Sequence, residues 1–98
     1  MTYRLKFLPV ALKEWEKLAP PIRAQFQKKL AERLEAPKVP SARLHGFDEV
    51  YKIKLRAVGY RLAYQVLDDA VVVIVLAVGK RERGAVYRKL GTRVSDEH

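Results

Sequence analysis

The sequence predicts an α+β domain, in which an N-terminal strand and a helical hairpin pack on a mostly antiparallel sheet of about four strands. Three observations carry this reading. Apolar residues recur at helical spacing from Leu8 to Leu34. From Tyr51 the pattern changes to alternation, in "YKIKLR" and "RLAYQV", punctuated by Val58-Gly59 and Asp68-Asp69. The run "AVVVIVLAV" is apolar on both faces, as expected of a central strand.

Each element has its own signal. Tyr3, Leu5 and Phe7 alternate with Arg4 and Lys6, which reads as a short first strand. Leu8, Ala11, Leu12, Trp15 and Leu18 make the apolar stripe of a first helix. Pro20-Pro21 interrupts it and opens a second, since proline is well tolerated in a first helical turn. Ile22, Phe26, Leu30 and Leu34 follow at i+4 intervals, and this helix ends before Pro37. Residues 37–49 form a connection that carries Arg43 and His45. After Gly79 the sequence "KRERGAVYRKL" is expected to start a short helix, and the polar tail from Gly91 to fray. No repeat or linker interrupts the chain, so residues 1–98 are read as one domain.

Composition narrows the partners. Ninety-eight residues suffice for a single modest core, and a hydrophobic content of 49% argues against disorder. Twenty Lys and Arg against 11 Asp and Glu give a net charge of +9, which favours a polyanionic partner. Absence of cysteine excludes disulfides, Cys-ligated zinc and a thiol nucleophile, and fits a reducing cytoplasm. The opening "MTYRLKFLPV" has no signal-peptide pattern. The most apolar stretch, residues 70–78, is less than half of the roughly 20 residues a membrane helix needs. The expectation is a soluble cytoplasmic protein with no membrane partner.

The hairpin draws attention because every other residue of its first arm is a cation. With Val58-Gly59 as a two-residue loop, Arg56 faces Arg61, Lys54 faces Ala63 and Lys52 faces Gln65. Lys52, Lys54, Arg56 and Arg61 then share one face. In this pairing Tyr51, Ile53, Leu55, Leu62 and Val66 are not expected to share a single face, and a bulge would alter the register. Continuing through Asp68-Asp69 puts Arg61 near Leu76, with Gly79, Lys80 and Arg81 emerging at the same end of the sheet. Like charges facing one another across strands destabilise a sheet, unless an anion joins them, so the cluster is a candidate phosphate site. A plain solvated strand face is the alternative. Tyr51, Tyr60 and Tyr64 read as packing residues, whereas Tyr87, in a polar stretch, is equally suited to packing or to stacking on a base.

Conventional catalytic arrangements are absent. His45 and His98 belong to no metal-spacing motif, the carboxylates form no convergent pair, and "GKRERG" is not a phosphate-binding P-loop. No metal or cofactor is expected. Cations can still cleave RNA by in-line attack of a 2′-hydroxyl, which needs a base, an acid and compensation of charge growing on phosphorus. A lysine crowded by other cations is pushed toward its neutral form and becomes a base. An arginine stays charged and stabilises the phosphate.

The segments "ALKEWEKL", "VYKIKLR", "GYRLAYQV", "VVVIVLAVGKRE" and "VYRK" together resemble the RelE family of bacterial toxins, in the RelE/ParE superfamily. The resemblance runs from about Tyr3 to Tyr87, nearly nine tenths of the chain. It implies a RelE-like, microbial RNase-like fold and a ribosome-dependent mRNA interferase. Such an enzyme cuts mRNA in the ribosomal A site without metal, leaving a 2′,3′-cyclic phosphate and a 5′-hydroxyl.

By the same resemblance Lys52, Lys54, Arg61 and Arg81 match the catalytic cations and Tyr87 the base-stacking residue. Lys54 or Lys52 is then the base, Arg61 the phosphate clamp and Arg81 the group at the leaving oxygen. Lys13, Lys28, Lys29, Arg43, His45, Arg56, Lys80 and Arg83 are expected to contact RNA, those on the helices touching ribosomal RNA. The resemblance implies a RelB-type antitoxin that wraps the toxin and keeps it off the ribosome, and operator DNA bound only through the toxin–antitoxin complex. Two departures stand out: His45 where relatives often carry arginine, and a tail from Gly91 without a match. A ParE-like gyrase inhibitor, a ribosome-independent endoribonuclease and a non-catalytic RNA-binding module are the alternatives.

Overall fold

The computed structural model describes residues 2–82 and 84–94. Four strands, β1 (Arg4–Phe7), β2 (Val50–Leu55), β3 (Tyr60–Leu67) and β4 (Val72–Lys80), form one sheet in the order β1-β4-β3-β2. Helices α1 (Pro9–Glu16) and α2 (Pro20–Glu35) follow β1, and a one-turn helix α3 (Ala85–Arg88) follows β4. The β2–β3 and β3–β4 pairs are antiparallel and β1 runs parallel to β4, so the mostly antiparallel α+β architecture holds.

Proline sets both helix starts. Pro9, and Pro20 with Pro21, occupy first-turn positions where a missing N–H costs nothing. Phe26 and Leu30 of α2 and Ala11 and Trp15 of α1 are buried against one face of the sheet, and the Trp15 and Phe26 rings lie 6.3 Å apart between the two helices. Burial of a side chain such as Phe26 contributes about 1.5–3 kcal/mol.

Tyr51, Ile53, Leu55, Leu62 and Val66 all join this helix-facing cluster. They do share one face, contrary to the sequence expectation, because residues directly opposite in an antiparallel pair lie on the same side. On the other face a smaller cluster gathers Val50, Ala63, Leu76 and Ala77 under Val86 and Leu90 from the C-terminal segment.

Both strand registers differ from the sequence expectation. The first hairpin loop is four residues, 56–59, so Lys54 faces Arg61, Lys52 faces Ala63 and Val50 faces Gln65. Arg56 falls in the loop and pairs with nothing. A slide of two residues leaves every side chain on its original face, which is why the cationic face survives the correction. At the second turn Asp68–Ala70 forms a 3-10 turn and Val71 adopts a left-handed φ of 54°. That longer loop moves the pairing by two, and a bulge between Ala63 and Tyr64 moves it by one more. Arg61 therefore faces Gly79 rather than Leu76.

The tail is held as far as it is described. Leu90–Thr92 forms a 3-10 turn, Leu90 is fully buried, and Arg93 donates to the Leu76 carbonyl at 2.9 Å. The expectation of fraying for the last four residues lies outside the described residues.

Candidate active site

Alternation along β2 sends Tyr51, Ile53 and Leu55 into the helix-facing core and leaves Lys52 and Lys54 half-buried on the opposite face. Lys54 stands directly opposite Arg61 and Lys52 opposite Ala63. Ala63 adds only a methyl group between the lysines, and Gly79, with no side chain, faces Arg61 from the other side. The charge on Lys52 does most to hold the Lys54 ammonium below the usual lysine range. Partial desolvation and the charges of Arg61, Arg56 and Arg81 act in the same direction.

Helix α3 closes one side of this face. Val86 packs over Gly79, its Cγ2 3.6 Å from where a Cβ would sit. The next residue, Tyr87, lies against Arg61, with the guanidinium carbon 5.2 Å from the ring centroid. Burial pushes the Tyr87 hydroxyl up from its ordinary pKa, and the neighbouring Arg61 charge opposes this. The Tyr87 hydroxyl and Arg61 Nε are buried with no well-aligned hydrogen-bond partner among the described residues. Buried polar atoms are nearly always satisfied, so these two stand out in the site.

Arg81 is placed by the hairpin loop. Gly59, at a left-handed φ of 71°, turns its carbonyl to accept the Arg81 backbone N–H at 2.6 Å. The exposed Arg81 side chain lines a shallow depression with Glu82, Ala85 and Arg88. Among the described residues no three His, Cys, Asp or Glu side chains gather as metal ligands.

The structure thus assembles Lys52, Lys54, Arg61, Arg81 and Tyr87, with Arg56 adding charge from the loop. It does not bring in the rest. Lys80 pairs with Tyr60, which packs on the helix-facing core, so alternation puts Lys80 on the other face. Arg43 pairs with Tyr51 and makes a 3.5 Å ion pair with Glu49, near the start of β2 and far from the hairpin loop. His45 is exposed in the connection before β2, and Lys13, Lys28 and Lys29 are exposed on α1 and α2. Arg83 lies outside the described residues.

Two supporting residues escaped the sequence reading. Arg33 of α2 donates through Nη1 to the Lys52 carbonyl at 3.1 Å and to the Tyr64 hydroxyl at 2.8 Å. Tyr64 in turn donates to the Pro37 carbonyl at 2.7 Å. The helix thereby grips the backbone of the lysine-bearing edge strand. Glu14 is the second, and it ties the C-terminal segment to α1. Neither has a local signal, because both act on partners far along the chain.

Residues 5–84 match the family described as the ParE toxin of type II toxin-antitoxin systems. Over 94 residues the chain is 52% identical to the mRNA interferase toxin RelE of Escherichia coli K12, covering 96% of this chain and 99% of that one. The chain belongs to the RelE family. Solved RelE structures share its fold. A doubly substituted E. coli RelE in the free state superposes with a TM-score of 0.90 at 49% identity, over 97% of this chain and 100% of that one. The toxin of the intact E. coli RelBE toxin–antitoxin complex superposes with a TM-score of 0.80 at 54% identity, over 83% of this chain and 99% of that one. This member of the RelE family carries Lys52, Lys54 and Arg61 on one sheet face, with Arg81 just past β4 and Tyr87 on α3 against Arg61.

Proposed function

We propose that this chain is a ribosome-dependent mRNA interferase that cuts mRNA in the A site by metal-independent attack of a 2′-hydroxyl. The observation that carries the reading is Lys54 facing Arg61 across β2–β3, with Tyr87 against the same arginine. The crowding that holds Lys54 below the usual lysine range favours its neutral form, the form a base needs.

In this mechanism neutral Lys54 takes the 2′-hydroxyl proton as the 2′-oxygen bonds to phosphorus. Arg61 neutralises the charge that grows on the phosphoryl oxygens. Arg81 stabilises the departing 5′-oxygen, which takes a proton from solvent water and leaves as a 5′-hydroxyl. The proton later released by Lys54 restores that water, and the other product is a 2′,3′-cyclic phosphate. Tyr87 stacks on a base and holds the attacking and leaving oxygens in line. Lys13, Lys28 and Lys29, exposed on the helical layer, contact ribosomal RNA, and the ribosome supplies the substrate geometry. A RelB-type antitoxin, the partner in the solved E. coli complex, answers the +9 charge and blocks the cationic face. The site of action is then the cytoplasm. No helix among the described residues is long and apolar enough to cross a membrane.

Primer extension on a defined message, on programmed ribosomes beside naked RNA, tests the reading. Cuts in the A-site codon only with ribosomes are expected, and Arg81→Ala should abolish them. Cuts in naked RNA would favour a ribosome-independent nuclease. The match to the ParE description gives a gyrase inhibitor a specific claim, so inhibition of gyrase supercoiling without RNA cleavage would overturn the proposal.

A further inference from the structure

Strand β1 stops short. Its last paired residue, Phe7, faces Val75, and beyond that point no strand among the described residues lies beside β4 on that edge. Two side chains fill the gap. Glu14 Oε1 accepts the Val78 backbone N–H at 3.2 Å, and Arg93 Nη1 donates to the Leu76 carbonyl at 2.9 Å. The same two side chains then bind each other, Arg93 Nη1 reaching Glu14 Oε1 at 3.0 Å and Nη2 reaching Oε2 at 3.2 Å. Lys89 Nζ adds a 2.8 Å contact to Oε2. One carboxylate thus collects the edge of β4, and both ends of the turn that follows α3.

These contacts are sheltered. Arg93 and Glu14 side chains are 14% and 18% exposed, and a bidentate arginine–carboxylate pair is the stronger, more directional kind of ion pair. Burial alone would raise the Glu14 pKa, but Arg93 and Lys89 outweigh it and hold the carboxyl below its usual range. Glu14 is therefore ionised at neutral pH. Lys89 is two residues from Tyr87, and Val86 and Leu90 on either side are buried in the same small cluster. Helix α3 is a single turn, too short to hold its own position.

We propose that Glu14 is a positioning residue for the RNA face: through Lys89 and Arg93 its carboxylate fixes the α3 turn, and so sets Tyr87 against Arg61. Glu14 is not itself among the groups proposed to meet RNA, and its contacts are with Lys89, Arg93 and the Val78 backbone rather than with Lys52 or Lys54. This inference rests on Tyr87 acting as the base-stacking residue.

The test is a double-mutant cycle between Glu14→Gln and Tyr87→Ala, read by single-turnover cleavage on saturating programmed ribosomes. Amide hydrogen exchange of residues 84–94 is followed in parallel. Glu14→Gln should slow cleavage by about tenfold, within the range a misplaced group costs, without changing the shape of the pH–rate profile. Exchange should quicken in the 84–94 segment and stay unchanged in β2 and β3. In the Tyr87→Ala background the further loss from Glu14→Gln should vanish, because a residue that acts through another is not additive with it. Additive losses, or a folded Glu14→Gln protein that cleaves at the full rate, would overturn the proposal. If Glu14→Gln does not fold, Lys89→Met removes only the more exposed contact and must show the same non-additivity, or the proposal fails. Should the parent protein cleave no RNA, the function itself is wrong. A positioning role built on it falls too, while the exchange data still report whether Glu14 orders α3.

Discussion

Lys54 and Arg61 stand directly opposite each other across an antiparallel pair, with Lys52 two residues along the same face. Such an arrangement depresses the lysine that is most crowded. A lysine acting as base must be neutral, so cleavage should rise with pH up to the depressed Lys54 pKa and then level off. Replacing Lys52 with Met removes the largest depressing charge and raises the Lys54 pKa. The rise in the single-turnover pH–rate profile should move to higher pH, leaving slower cleavage at neutrality. An unmoved profile would show that another group takes the proton.

Arg33, Tyr64 and Pro37 form a chain of hydrogen bonds from α2 through the core to the back of β2. Tyr64→Phe keeps the packing but leaves the Pro37 carbonyl without its donor. It should cost about 1–3 kcal/mol in urea unfolding. Arg33→Met should couple to it in a double-mutant cycle, since the two share a contact. Fully additive values would show the bonds to be independent.

Val71 holds a left-handed backbone at φ 54°, a conformation that β-branched residues adopt at a cost of about 1–3 kcal/mol. Val71→Gly relieves that strain, and the greater unfolded-chain entropy of glycine offsets only part of the gain. It should stabilise the protein by about 1 kcal/mol, a rise of roughly 4–8 °C in Tm for a domain this small. A lower Tm would mean that the valine side chain packs more strongly than its strain costs.

At the end of the sheet away from the cations, Lys38 and Tyr3 both donate to Asp68. The Lys38 contact is chiefly responsible for holding the Asp68 carboxyl below its usual range. A carboxyl lowered by folding adds stability above its unfolded pKa, and that stability is lost as pH falls through the folded value. Asp68→Asn should therefore lower the urea midpoint at pH 7 and bring the two proteins together at a pH below the lowered Asp68 range. A constant difference between them at both pH values would remove the ion pair as the cause.

What was legible in the sequence follows from which signals are local. The Phe26 and Leu30 stripe and the Pro20-Pro21 start needed only their own helix, and both helices formed where expected. The first opens on Pro9, which the sequence reading passed over. The cationic face was legible because alternation fixes which side a residue takes whatever its partner. Register was not. It depends on the left-handed Gly59 and Val71 and on a bulge at Ala63/Tyr64, and a valine is among the least expected residues at such a φ. Lys80 was expected only at that end of the sheet, and its side was settled by its pairing with Tyr60. The supports behind the site, Arg33 and Glu14, reach across 19 to 79 positions, and no pattern within one element announces them.

The lysines lie on β2, which is an outer strand of the sheet. Outer strands invite pairing with other chains, and charged side chains are one of the commonest deterrents. The residues proposed for catalysis therefore also guard the molecule against adding a strand from a neighbour. A variant made safe to express by exchanging Lys52 and Lys54 for apolar residues would lose that guard and be prone to aggregate. Glutamine at both positions would silence the chemistry and keep the edge polar, a practical route to a harmless protein for structural work.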